Sequence, residues 1–204
     1  MKSTLPHLLS LLVAMILSGC YVSKPLDHDV RISVNKDFPV QIKNEGKSNF
    51  SSKHTDEEYR QSYITELVKE FQVNHIVIDD AAPEFVVKIK SLEITESTKM
   101  DTVKDAKASN NGMIQELTLA GFKTTGTIVK TGQSTVHNWQ AEKDKNESLT
   151  NNRSIDQMIA GENKHNTDYR EKAFDDNVFV NQAGVCGKRA AVRVTNEIQR
   201  ILKK

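Results

Sequence analysis

Two segments with helical hydrophobic spacing bracket a run of strand-like segments, and this order constrains the fold more than any other feature. Thr55-Asp56-Glu57-Glu58 is a capping box: the Thr hydroxyl can accept from the Glu58 N–H while the Glu58 carboxylate reaches back. Asp56 and Glu57 suit the positive end of a helix. Tyr63, Ile64, Leu67, Val68 and Phe71 then share one helical face, which predicts a helix over 56–71. The second pattern is Ala190, Ala191, Val194, Ile198, Ile201 and Leu202, with Arg200, Lys203 and Lys204 at its negative end. It predicts a helix over about 185–202, preceded by Ala183-Gly184.

Between and before these helices the apolar period is two. Val30, Ile32 and Val34 alternate with polar residues, and so do Phe38, Val40 and Ile42. They predict one strand or two. Residues 44–53 read as a loop, and Ile76 to Ile78 as a short strand that Asp79-Asp80-Ala81-Ala82-Pro83 breaks. Phe85, Val87 and Ile89 share a face, but Leu92 and Ile94 fall on the other parity, which predicts a bulge near Ser91. Residues 98–112 read as a hairpin loop. Ile114 to Val129 is Thr-rich and strand-like, with Gly121 and Gly126 as expected kinks. Thr131-Gly132 turns the chain into a strand at 134–140 that carries Trp139. Residues 141–183 are polar and predict a mobile excursion. The expectation is an α+β fold, a mainly antiparallel sheet with two helices packed on one face. One such domain spans 30–204, and no internal repeat interrupts it.

The amino terminus has a different character. Lys2 is followed by Leu8 to Leu17, apolar apart from Ser10, which is signal-peptide length and shorter than the roughly 20 apolar residues of a membrane span. Leu17-Ser18-Gly19-Cys20 follows directly and looks like a bacterial lipobox. In that motif small residues let the backbone enter the peptidase, and the cysteine thiol takes the lipid. The expectation is a signal peptide at 1–19, cleavage between Gly19 and Cys20, lipidation (palmitate among the acyl chains) at Cys20, and a tether at 20–29. Each buried methylene contributes about 0.8 kcal/mol, so the two or three chains usual in such proteins make the anchor effectively permanent. Tyr21 stands where an Asp marks inner-membrane retention, which favours the outer membrane.

Charge limits the partners. The 28 basic and 27 acidic residues become equal in number once Lys2 leaves with the signal, so nothing advertises nucleic-acid binding. Of the two cysteines, lipidation consumes Cys20, and Cys186 then has no disulfide partner and reads as a small buried hydrophobe.

Candidate chemistry is sparse. The chain has no G-x-S-x-G elbow, no H-E-x-x-H and no Walker loop. His75 with Asp79 and Asp80 is the best set of metal-type residues, ahead of Asp27-His28-Asp29. Their simpler reading is a solvated strand edge, and His54 and His165 read as surface residues. The carboxylate runs at 56–58 and 79–80 are accounted for by helix-cap and turn chemistry. Trp139, Phe122 and Tyr169 could line a groove, with core packing as the default. No catalytic residue, metal or cofactor is expected.

The lipobox Leu17-Ser18-Gly19-Cys20 resembles that of envelope lipoproteins of Gram-negative bacteria. The element order after it, an early strand, a capped helix at 56–71, a Val/Ile-rich strand at 85–94, a hairpin and a basic-ended helix, loosely resembles the LPS-assembly lipoprotein family that plugs the outer-membrane LPS translocon. The excursion at 141–183 departs from that layout, and no functional residue carries over. The combined expectation is a lipid-anchored, periplasm-facing, non-enzymatic accessory or assembly factor that binds an envelope protein or glycolipid. The alternatives are a structural or ligand-binding lipoprotein and a metal-dependent hydrolase using His75, Asp79 and Asp80.

Overall fold

The computed structural model describes residues 23–46, 49–102, 104, 111–112, 114–143, 148–154 and 177–203. The signal segment, Gly19, Cys20, His165 and Tyr169 lie outside the described residues, as do 144–147 and 155–176 of the predicted excursion.

A long antiparallel hairpin forms the spine of the sheet. Its strands are β4, Phe85–Thr102, and β5, Ile114–Lys130, paired from Phe85↔Lys130 to Thr102↔Ile114. Each is flanked by two shorter strands placed end to end. On the β4 side, β1 (Val30–Val34) pairs with 85–87 and β2 (Val40–Asn44) with 92–96, both parallel. On the β5 side, β6 (Val136–Lys143) pairs with 122–129 and β7 (Ser148–Ser154) with 115–119, both antiparallel. The strand β3, Ile76–Ile78, adds in parallel outside β1. Two helices, α1 (Asp56–Val73) and α2 (Asn177–Leu202), pack on each other, and α2 lies against β5 and β6. The fold is α+β, a mainly antiparallel sheet with both helices on one face and a parallel region along one flank.

The β1–β2 segment is thus two strands, and the reason for the break is visible. The predicted bulge in β4 falls between Ile89 and Ser91, opposite the gap between β1 and β2. There the Asn35 side chain stands in for a strand. Its Oδ1 accepts from Ile89 N at 2.7 Å and its Nδ2 donates to Ile89 O at 3.0 Å. A buried peptide group that lost its ladder partner would otherwise be costly. The parity shift that the bulge creates keeps Phe85, Val87, Ile89, Leu92 and Ile94 all in the core.

The parallel flank follows from α1. Parallel neighbours need a crossover, and α1 supplies it between β2 and β3. Its capping box forms as predicted: Glu58 N donates to Thr55 Oγ1 at 3.2 Å and Thr55 N to Glu58 Oε2 at 2.7 Å. The helix runs two residues beyond the predicted 71 to Val73, is capped by Asn74, and is followed by His75, whose φ of 60° places it in the left-handed region. Tyr59, Tyr63, Leu67 and Phe71 form its buried stripe.

Several predicted boundaries move. The hairpin strands extend to Thr102 and resume at Ile114, so much of the predicted 98–112 loop is strand. Residues 148–154 pair as β7, and α2 begins at Asn177, so both ends of the predicted 141–183 excursion are regular structure. Ala183 and Gly184 lie inside α2 rather than before it. Glycine weakens an isolated helix by about 1 kcal/mol relative to alanine. Here it is required, because α1 and α2 touch backbone to backbone. A Cβ on Gly187 would lie 2.1 Å from Tyr63 O, and one on Gly184 would lie 2.9 Å from Ser62 Oγ. Ser62 Oγ also donates to Val180 O at 2.7 Å. Gly126 lies opposite Ile89, at the edge of the β4 bulge. Its bare Cα is the floor on which the Trp139 indole lies.

Candidate functional site

Helices cover one face of the sheet; among the described residues nothing covers the other face, which is polar. Period-two alternation puts Glu93 and Thr95 of β4, Gly121 and Lys123 of β5, Glu142 of β6 and Lys43 of β2 on that open face. Together with Glu45 they line a depression of about 300 Å³. Gly121, also lining it, is directly opposite Thr95. Lys43 Nζ meets Glu93 Oε2 at 2.6 Å and Lys123 Nζ meets Glu142 Oε1 at 3.6 Å. These pairs are exposed, so each contributes little to stability, on the order of 0–1 kcal/mol. Their ammonium and carboxylate groups can exchange partners for the hydroxyls and amides of a ligand. Acidic and basic side chains alternate around the rim, which gives no field favouring a polyanion. The chemistry on offer is dense hydrogen bonding from a rigid strand platform.

The spine hairpin continues past this depression. β2 pairs with β4 only as far as Glu96, and no described strand pairs with the outer edge of 99–102. Met100 and Ile114 are exposed near its tip. At the root of the projecting part, Glu96 is fully buried and accepts from Phe50 N at 3.2 Å, Ser51 N at 2.8 Å and Ser51 Oγ at 2.6 Å. Tyr59 donates its hydroxyl to Ser51 O at 2.8 Å. This carboxylate is a clamp that fixes the 50–53 turn, and through it the start of α1, on the hairpin.

The predicted metal-type residues do not come together. His75 and Asp79 sit at opposite ends of β3. His75 Nδ1 faces Asp29 Oδ1 at 3.9 Å. Asp79 Oδ1 instead accepts from Ala81 N and Ala82 N, and Asp79 lies 4.0 Å from Arg31. Among the described residues no three of His, Cys, Asp or Glu converge on a point that could hold a metal ion. His54 is not a surface residue. Its ring is packed edge-on against Tyr59 with centroids 5.9 Å apart, and its Nδ1 is 3.8 Å from Glu58. Trp139 and Phe122 are buried in the core, where Phe122 packs on Phe179.

Cys186 is fully buried in α2, and burial pushes its thiol up to about 12. Such a thiol stays protonated and unreactive. Tyr63 beside it is also raised well above its ordinary value by burial, and donates its hydroxyl to Thr124 Oγ1 at 3.1 Å. One polar cluster gave no signal in the sequence. His137 on β6 lies 3.1 Å from Glu197 on α2 and 3.2 Å from Arg200. The hydrogen bond from Arg200, helped by His137, holds the Glu197 carboxyl below its usual range. This cluster ties the carboxyl end of α2 to the sheet.

No family model matches the chain. No curated protein matches it either. Among solved structures, a protein described as a neuraminyllactose-binding hemagglutinin homolog from Helicobacter pylori superposes with a TM-score of 0.41 at 12% identity, over 86% of this chain and 88% of that one. A likeness this distant assigns neither a family nor a ligand.

Proposed function

We propose that the chain is a lipid-anchored, periplasm-facing envelope lipoprotein, placed at the outer membrane, that binds a polar envelope partner without catalysing a reaction. The observation that carries this reading is Leu17-Ser18-Gly19-Cys20 directly after an apolar run of signal length. The open sheet face supports the binding part. Lys43, Glu93, Lys123 and Glu142 are held on paired strands around the buried Thr95, and their charged groups suit a polypeptide or the saccharide part of a glycolipid.

Two measurements test the reading. Mass spectrometry of the amino-terminal peptide should show acyl chains on Cys20, and Cys20→Ser should leave the membrane fraction; an unmodified Cys20 in membrane-associated protein refutes the anchor. A photo-crosslinking side chain at Glu93 or Lys123 should trap a defined envelope protein or glycolipid in cells. The same side chain at Asn181, exposed on α2, should not. Equal or absent trapping at all three positions refutes the open face as the binding surface.

A further inference from the structure

From Ser23 onward, the segment after the lipobox is bound to the domain. Ser23 is buried and its hydroxyl hydrogen-bonds Asn74 Oδ1. Leu26 is 5% exposed, and its N–H donates to Asn74 O at 3.3 Å. Gln199 Nε2 donates to Lys24 O at 2.5 Å. The predicted tether is therefore docked from Ser23 onward, across the carboxyl ends of both helices. Cys20 is three residues upstream, and an extended chain covers at most roughly 3.6 Å per residue, so it lies within about 11 Å of Ser23.

This end of the molecule also gathers exposed apolar side chains. Val73 closes α1, Leu202 closes α2 and Val136 opens β6 beside the His137–Glu197 contact. Val77 on β3 is the fourth. Between the docked segment and α2 is a cleft of about 300 Å³ lined by Pro25, Leu26, Leu202, Lys24 and Lys203 among others. Apolar groups with two ammonium groups beside them suit the boundary between headgroups and acyl chains. The helix-end charges are mixed, with Asp27 and Asp29 on the same segment, so contact here is not driven by net charge.

We infer that the carboxyl ends of the two helices, with the docked segment 23–29, form a lipid-facing surface that seats the domain on the bilayer in one orientation. The inference rests on the lipidated Cys20 of the proposed function. It goes beyond that reading by naming the face. A consequence is that the hairpin points away from the membrane. β4 has 18 residues, and at roughly 3.3 Å each it carries its tip as much as about 60 Å outward. The polar depression faces the periplasm part-way along.

The test is depth measurement on the full lipoprotein in vesicles of phosphatidylethanolamine and phosphatidylglycerol. Nitroxide labels at Val73→Cys, Leu202→Cys and, as the distal reference, Lys99→Cys are compared with the same labels in soluble Cys20→Ser protein. Lipid blocks Cys20, and the buried Cys186 does not compete for label. Labels at 73 and 202 should lose collisions with aqueous nickel complexes and gain collisions with oxygen on reconstitution, while the label at 99 is unchanged. A flexible Gly/Ser segment inserted between Val22 and Ser23 should abolish that difference without disturbing the fold. Equal accessibility of 73, 202 and 99 with Cys20 shown to be acylated overturns the orientation and leaves the anchor standing. An unacylated Cys20 overturns both.

Discussion

At the scale of single residues, the side chains that matter most are those whose neighbours come from far away in the chain. Gly126 looks like a weak point in a Thr-rich strand. In the fold it is a position where the Trp139 indole and Lys88 O both come within 2.3 Å of where a Cβ would stand. Gly126→Ala must displace the ring, at a cost of about 1–3 kcal/mol for overpacking. Trp139 is the only tryptophan, so the emission spectrum reports on it alone. It should move to the red in Gly126→Ala, and an unshifted spectrum would mean the ring has room to spare. Glu96 is the second case. In Glu96→Ala three buried donors at Phe50 and Ser51 lose their acceptor. Each unsatisfied group costs about 1–3 kcal/mol, so a net loss of about 3 kcal/mol is expected after relaxation. Hydrogen exchange at the Ser51 amide should accelerate well before global unfolding. Neither role is visible from local sequence, because a buried Glu on a strand looks like any exposed one until its partners are known.

Individual elements are more legible. The capping box, the 3.6-residue stripe of α1 and the bulge in β4 are local patterns. Local geometry decides them, so they stand where the sequence puts them. Thr55→Ala should cost about 1 kcal/mol of stability in urea unfolding. The backbone hydrogen bond from Thr55 is the largest cause of a lowered Glu58 pKa. A depressed carboxylate stabilises the fold above its unfolded value of 4.5 and loses that contribution as pH falls through its lower folded value. The stability gap between the protein and its Glu58→Gln variant should therefore shrink below pH 4.5. A gap independent of pH would mean the carboxylate is not ionised in the cap. The start of α2 shows the limit of local patterns. Gly184 and Gly187 lower helix propensity, and tertiary contact with α1 overrides this. Gly187→Ala gains about 1 kcal/mol of propensity. It must also separate Tyr63 O from a Cβ 2.1 Å away, which costs about 1–3 kcal/mol. A net loss is expected in thermal unfolding, and a rise in Tm would show that the helices can part freely.

For the whole molecule, the decisive feature is how its ends differ. One end collects both helix carboxyl termini, the docked segment 23–29 and most of the exposed valines. The other carries the hairpin tip. Leu26→Ala tests the docking directly. Removing a buried leucine side chain costs about 2–4 kcal/mol. The variant should also expose the segment before Val30 to protease cleavage while β4 and β5 stay protected. Cleavage no faster than in the parent chain would show that the segment does not depend on Leu26. The predicted His75–Asp79–Asp80 set belongs to this scale too. Its members looked adjacent because only a few residues separate them, yet the extended β3 places His75 and Asp79 at its opposite ends. Sequence proximity is a poor guide to convergence wherever the backbone is extended.

Features under short-range control can be read from the residues alone. They are the capped helix, the alternating strands, the parity slip at Ser91, the α+β class and the lipobox pattern on which the proposed anchor rests. Each depends on residues within a turn or two of one another. The parallel flank, the early start of α2, the burial of Glu96, the charged depression and the docking of residues 23–26 emerge only in the folded chain. These are pairings between residues tens of positions apart, such as Lys43 with Glu93 and Gln199 with Lys24. No local pattern records such partners, and their contacts form only once the chain has brought distant segments together.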